Sequence, residues 1–184
     1  MTSAGFEVLH EPLPGVFVIR TPRFEDERGI FFKVFNSTFY DALPNPFCPK
    51  EQFTSVSREG VLRGMHFQTG RSAHQKLISC IAGELLDVVV DVRPESPNFN
   101  KPISLKLSKN SSISILIAKG YAHGFLSLSS SCTIQYLTSS VHSPSEDQGV
   151  LWSSLNFDWP IDKPLISPRD ASHPQIGSVK YTFS

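Results

Sequence analysis

The chain has 184 residues, 17 lysines and arginines, 17 aspartates and glutamates, and no formal net charge. That length suits one domain with a sizeable core, and the balance excludes the basic field that nucleic acid or an anionic membrane surface selects. Cys48, Cys80 and Cys132 have no paired spacing, Met1 to Leu13 lacks the parts of a secretory segment, and no apolar run approaches the roughly 20 residues of a bilayer span. The expectation is a soluble cytoplasmic domain with reduced thiols, binding neither nucleic acid nor membrane.

In chain order, Val16 to Ile19 reads as an early strand and Gly29 to Phe35 as a second, both flanked by charged and turn residues. Ser37 to Leu43, opening on a Ser/Thr cap candidate, reads as a short helix. Leu77 to Ala82 and Leu85 to Val92 are apolar runs broken by Gly83-Glu84, the pattern of two strands joined by a tight turn. Ile103 to Leu107 and Ile113 to Ile117 alternate apolar and polar residues, as half-buried strands do. Phe125 to Leu128 and Cys132 to Thr138 follow, with Ser129 to Ser131 as their turn, and a further turn is expected after Pro144. Short strands at regular spacing with little helical periodicity predict an all-β sandwich, jelly roll or small barrel. The whole chain, 1–184, reads as one domain, its Pro-, Asp- and Ser-rich segment 160–184 lying extended across the barrel.

The most informative stretch is Gly60-Val61-Leu62-Arg63-Gly64-Met65-His66-Phe67-Gln68. In a regular strand the odd spacing of Arg63 and His66 puts them on opposite faces, unless a bulge at Gly64 re-aims one of them. Brought together, a cation and an imidazole suit an anionic ligand beside a proton-transfer centre. Four more segments place polar residues where propensity does not ask for them: His74-Gln75-Lys76-Leu77, Gly120-Tyr121-Ala122-His123-Gly124-Phe125, Ile134-Gln135-Tyr136 and Ser167-Pro168-Arg169-Asp170. Each also has an ordinary structural reading. Lys76 suits an edge-strand gatekeeper, His123 a satisfied core imidazole, Tyr136 a packing residue and Asp170 a turn cap.

A metal centre on a β barrel usually carries an HxH pair with a nearby carboxylate. Here the pair reads His66-Phe67-Gln68, and Thr69 to Leu77 offers Arg71 and Lys76 but no carboxylate. Neither a GxSxG elbow nor a glycine-rich phosphate loop is present. What remains is a metal-free, cofactor-free site built from an imidazole, a carboxylate, a phenol, a lysine and arginines.

The segments GVLRGMHFQ, HQKL, GELLDVVVDVRPESPNF, YAHGF, GVLW and SPRD, in that order, resemble the dTDP-4-dehydrorhamnose 3,5-epimerase family. The resemblance runs from Phe24-Glu25-Asp26-Glu27-Arg28-Gly29 to Asp170. It implies a cupin-like antiparallel jelly-roll barrel with a few short peripheral helices, a homodimer, no cofactor, and a nucleotide-diphospho-4-keto-6-deoxy sugar as substrate. By position it implies His66 as general base, Asp170 as the carboxylate fixing its tautomer, Tyr136 as the acid on the other face and Lys76 as the cation beside the enolate. Arg28 and Arg63 match arginines that hold the diphosphate, and His123 a histidine of the same pocket. Gln68, Phe31 and Arg169 complete the implied substrate surface.

Two departures stand out. Where the family carries RGxFFE, this chain reads Arg28-Gly29-Ile30-Phe31-Phe32-Lys33. Where it carries Q-x-N-x-S, this chain reads Glu51-Gln52-Phe53-Thr54-Ser55, or has Gln52 in the amide position if shifted by one. Lys33 and Glu51 thus alter the charge of the substrate surface, and a changed nucleotide or sugar preference is expected. A single-carbon epimerase, a 3,4-ketoisomerase and a non-catalytic sugar-nucleotide binding module are the other readings of the same motifs.

Overall fold

The computed structural model describes residues 2–183. Its elements run β1 (Thr2–Ser3), β2 (Phe6–Leu13), β3 (Val16–Arg20), β4 (Arg23–Asp26), β5 (Gly29–Phe32), α1 (Ser37–Asp41), β6 (Glu51–Ser57), β7 (Leu62–Gln68) and β8 (Lys76–Ala82). They continue with β9 (Glu84–Asp91), β10 (Ile103–Ser108), β11 (Ile113–Ile117), β12 (Tyr121–Ser127), β13 (Cys132–Thr138), β14 (Asp147–Gly149), a 3₁₀ turn at Trp152–Ser154 and α2 (Pro168–Ala171).

The strands pair antiparallel into a seven-stranded sheet, β1-β2-β3-β11-β8-β13-β6, and a five-stranded sheet, β10-β9-β12-β7-β14; β4 and β5 form a separate ribbon. The two large sheets face each other as a jelly-roll barrel of the cupin type. Alternation along the strands sends Ile78, Leu85, Val89, Leu107, Ile115, Phe125 and Ile134 into the space between them.

Both outer faces are covered as well, which explains why strands such as β9 read as nearly continuous apolar runs. Phe39 and Tyr40 of α1, with Leu43 and Phe47, cover Phe6, Ile19, Leu77 and Leu116 of the larger sheet. Leu155, Phe157, Trp159, Ile176, Tyr181 and Phe183 of the C-terminal segment cover Met65, Val88, Val90 and Ala122 of the smaller one. The segment that covers this sheet also carries Asp170 to the mouth of the barrel.

Local departures from expectation have simple causes. The predicted strand Gly29 to Phe35 ends at Phe32: the Lys33 N–H turns back to the Pro22 carbonyl at 3.0 Å, and Val34 and Phe35 pack beneath α1. The helix begins one residue after Asn36, whose side chain accepts from the Phe39 N–H, so the cap is Asn36 and not Ser37. The tail is not wholly extended. Ser167 caps α2 by accepting from the Asp170 N–H at 3.0 Å, with Pro168 at the first helical position. No helix among the described residues is long and apolar enough to cross a membrane.

Candidate active site

The bulge foreseen at Gly64 is present. His66 pairs with His123 across β7 and β12, whereas Arg63 pairs with Phe125, so three steps on β7 oppose two on β12. Gly64 has φ +136°, and a Cβ there would meet the Gly124 Cα at 2.6 Å, so only glycine fits. The extra residue turns Arg63 to the same side as His66, and both line one cleft of about 290 Å³ between the sheets.

Six further predicted residues line that cleft: Lys76, Tyr136, His123, Gln68, Glu51 and Arg169. His66 Nε2 lies 2.8 Å from Asp170 Oδ1, a contact spanning 104 residues of sequence, while the Gly64 N–H donates to Asp170 Oδ2 at 3.1 Å. The Asp170 side chain is 5% exposed. Burial alone would raise its pKa, but the His66 hydrogen bond and charge, with the Gly64 N–H, outweigh it and bring the group down to about 2. Asp170 is therefore a fixed carboxylate that occupies His66 Nε2 and leaves Nδ1 for a ligand.

On β13, Tyr136 stands in the cleft with its hydroxyl 3.4 Å from Ser55 Oγ and its ring 4.7 Å from that of Phe53. Burial pushes its phenol well above the ordinary value, against the pull of Ser55 and the Arg63 charge. The hydroxyl is thus a proton donor at neutral pH. Lys76, entering β8, has its ammonium pulled down to about 8 by burial, opposed by the charges of Asp147 and Asp87. Arg63 Nε donates to Ser57 Oγ at 3.0 Å, which aims the guanidinium along the cleft wall.

His123 sits deeper. Its Nε2 is 2.7 Å from Asp87 Oδ2, and burial draws its pKa below the ordinary value, against Asp87. Gln68 is held by the protein itself: its Oε1 accepts from the Ser143 N–H at 2.6 Å and its Nε2 donates to His74 Nδ1 at 3.0 Å. At the mouth, Arg169 Nη2 donates to Asp147 Oδ2 at 2.7 Å and Glu51 Oε2 accepts from the His142 N–H at 2.8 Å.

The alternation of β6 decides which of its residues matter. Glu51, Phe53 and Ser55 line the cleft, and Gln52 and Thr54 point away, so the unshifted register is the one that reaches the site. Three predicted residues are not brought to this cleft within the protomer. Arg28 is 85% exposed and ion-paired with Asp26, Phe31 is 61% exposed, and Lys33 follows the same ribbon. Residues at or beside the site that sequence reasoning did not name include Asp87, His142 and Asp147. Only Asp87 left a signal, a carboxylate inside the apolar run of β9.

A jelly-roll barrel whose cleft gathers an imidazole-carboxylate pair, a phenol and an ammonium is equipped to take and return a proton, and similarity to known enzymes makes it a cupin-type carbohydrate epimerase. Residues 10–178 match the family model described as dTDP-4-dehydrorhamnose 3,5-epimerase. The enzyme of that name from Shigella flexneri is 36% identical over 95% of this chain and 98% of its own length. A dTDP-4-dehydrorhamnose 3-epimerase from Streptomyces niveus is 34% identical over 86% of this chain and 78% of its own. Among solved structures, the dTDP-6-deoxy-D-glucose-3,5-epimerase of Legionella pneumophila, in complex with dTDP-4-keto-L-rhamnose, superposes with a TM-score of 0.90. It is 28% identical, over 97% of this chain and 98% of that one. The chain belongs to the dTDP-4-dehydrorhamnose 3,5-epimerase family.

Proposed function

We propose that the protein inverts C3 and C5 of a dTDP-linked 4-keto-6-deoxy sugar through enolate intermediates. The observation that carries this reading is the His66–Asp170 pair opening into the cleft that also holds Tyr136 and Lys76. The C4 ketone acidifies the hydrogens on both neighbouring carbons. His66 Nδ1 takes one of them, and Asp170, already ionised, stabilises the imidazolium that forms. The electron pair moves onto the ketone oxygen, where the Lys76 ammonium offsets the new charge. Tyr136 returns a proton from the opposite face, and Arg63 stands near enough to lower the cost of its phenolate. His66 then passes its proton to solvent, the Tyr136 phenolate regains one from it, and the cycle repeats at the other carbon.

Arg28, Phe31 and Lys33 act in this reading from a second copy of the chain. The β4–β5 ribbon is unpaired with either large sheet and exposes Phe24 and Phe31 by 63% and 61%. β6, which lines the cleft, is the open edge of the larger sheet. In a homodimer the ribbon of one protomer reaches the partner's sheet, bringing Arg28 to the diphosphate.

The test is turnover of dTDP-4-keto-6-deoxyglucose in D₂O, followed by NMR. Deuterium is expected at both C3 and C5, and none with His66→Ala. Label at C3 alone reduces the activity to single epimerisation, and undiminished exchange in the variant removes His66 as the base. Glu51, Lys33 and Phe53 favour tolerance of a nucleotide base or sugar beyond that dTDP-linked substrate. A panel of dTDP-, CDP-, UDP- and GDP-linked ketosugars tests it, and an undisturbed dTDP preference overturns that part.

A further inference from the structure

We infer that His66, Asp170 and His173 form a binding site for one divalent transition cation of the Zn²⁺ class, behind the proposed base. The sequence argued against a metal because no carboxylate follows His66 nearby. The fold supplies one from the tail, with a second imidazole one helical turn later. His66 Nε2, Asp170 Oδ1 and His173 Nε2 all lie within 4.8 Å of one another. The first two are 2.8 Å apart and the last two 3.7 Å.

Zn²⁺ bonds of about 2.0–2.2 Å place tetrahedral ligand atoms roughly 3.4 Å apart, between the two measured separations. Two imidazoles and a carboxylate are an ordinary donor set for such an ion, with a further position left for water. His173 itself points to a ligand. Its Nε2 is buried and makes no hydrogen bond, since 3.7 Å to Asp170 is too long for one. Its side chain is 11% exposed and lies over Gly149, where a Cβ would collide with the imidazole. Gly149 is the β14 residue that pairs with His66, so the space behind the base exists because this position has no side chain.

A cation seated there replaces the proton between His66 Nε2 and Asp170. Its charge on Nε2 removes the basicity of Nδ1, so epimerisation stops. This inhibitory consequence rests on the reading of His66 as base, whereas the metal site does not. Nearby, the like charge of Arg169 is offset by its pairing with Asp147 at 2.7 Å.

The experiment titrates the full chain, freed of metal, with Co²⁺ as a spectroscopic probe and Zn²⁺ as an inhibitor. The expected result is one equivalent of Co²⁺ giving a visible ligand-field band that Zn²⁺ displaces, and loss of turnover that EDTA restores. His173→Asn, and His173→Ser as a second variant, are expected to keep the metal-free rate, lose the band and need at least tenfold more Zn²⁺ for half-inhibition. Absence of the band in the parent protein, or equal Zn²⁺ sensitivity of variants that turn over normally, overturns the proposal. One equivalent of Co²⁺ bound through His173 with exchange at C3 and C5 unimpaired keeps the metal site and removes His66 as the base.

Discussion

Two imidazole-carboxylate pairs of the barrel, His66–Asp170 and His123–Asp87, are nearly equal in length and differ in their surroundings. His66–Asp170 spans 2.8 Å with the histidine 28% exposed; His123–Asp87 spans 2.7 Å with the histidine 5% exposed and the aspartate fully enclosed. The carboxylate of the first comes from the tail, through α2, and also accepts from the β7 backbone. That of the second comes from the adjacent strand, in the register that sets Asp87 opposite Phe125. The proposed base must exchange its proton with solvent, which the partly exposed first pair allows and the enclosed second does not. His123, kept from charging by burial, is suited to fixing the floor of the cleft. Exposure, more than pairing, separates the two roles.

His66→Ala breaks the comparison hardest. It is expected to lower kcat by at least about 10³-fold, in the range of a lost general base, while calorimetry with dTDP still reports binding. A loss confined to KM would move His66 out of the chemistry. Next come the two aspartates, changed separately. Asp170→Asn is expected to cost about 10²-fold in kcat with little change in the denaturation midpoint, because α2 retains its Ser167 cap. Asp87→Asn is expected to act first on stability, by about 1–3 kcal/mol read from urea unfolding, because Asp87 is enclosed and its partner's hydrogen bond is disturbed. Equal effects of the two on both readouts would erase the distinction between the pairs.

A mixing experiment sharpens the division between core and ribbon. Arg28→Ala and His66→Ala proteins, each weakly active alone, are expected to regain about one parent site's activity, half that of a parent dimer, per mixed dimer after subunit exchange, by the combinatorics of shared sites. One of the two clefts in such a dimer has both native residues only if the ribbon works in trans. No recovery after demonstrated exchange returns Arg28 to its own surface.

The same contrast explains what was readable in the sequence. Arg63, Gly64 and His66 announced themselves because an odd spacing around a glycine makes sense only with a bulge, and β7 contains one. Strands β8 and β9 were legible because covering both sheet faces leaves long apolar runs. The separation of β4–β5 was not, since Phe31, Phe32, Val34 and Phe35 look alike in a pattern while only the last two turn under α1. Asp87 lay hidden in a run chosen for its apolar neighbours, although a carboxylate there requires a buried partner. His173 and Asp147 sit at a chain reversal and on a three-residue strand, where no periodicity assigns a face.

Lys76 gives the mildest and most continuous test, because it needs no loss of fold or of subunit contact. Its pKa is drawn down to about 8 by burial, with Asp147 and Asp87 pulling upward. A lowered lysine is charged below that value and neutral above it. The ammonium proposed to face the enolate is therefore present at pH 7 and disappears as pH rises through about 8. Tyr136 does not titrate in this window, since burial holds its phenol well above the ordinary range. The profile of kcat/KM, which reports the free enzyme, is expected to fall on its alkaline side with a midpoint near 8. Lys76→Arg, charged across the whole range, is expected to flatten that limb even if its plateau is lower. A limb that stays near 8 in the arginine variant belongs to another group, and Lys76 would then be a packing residue of β8.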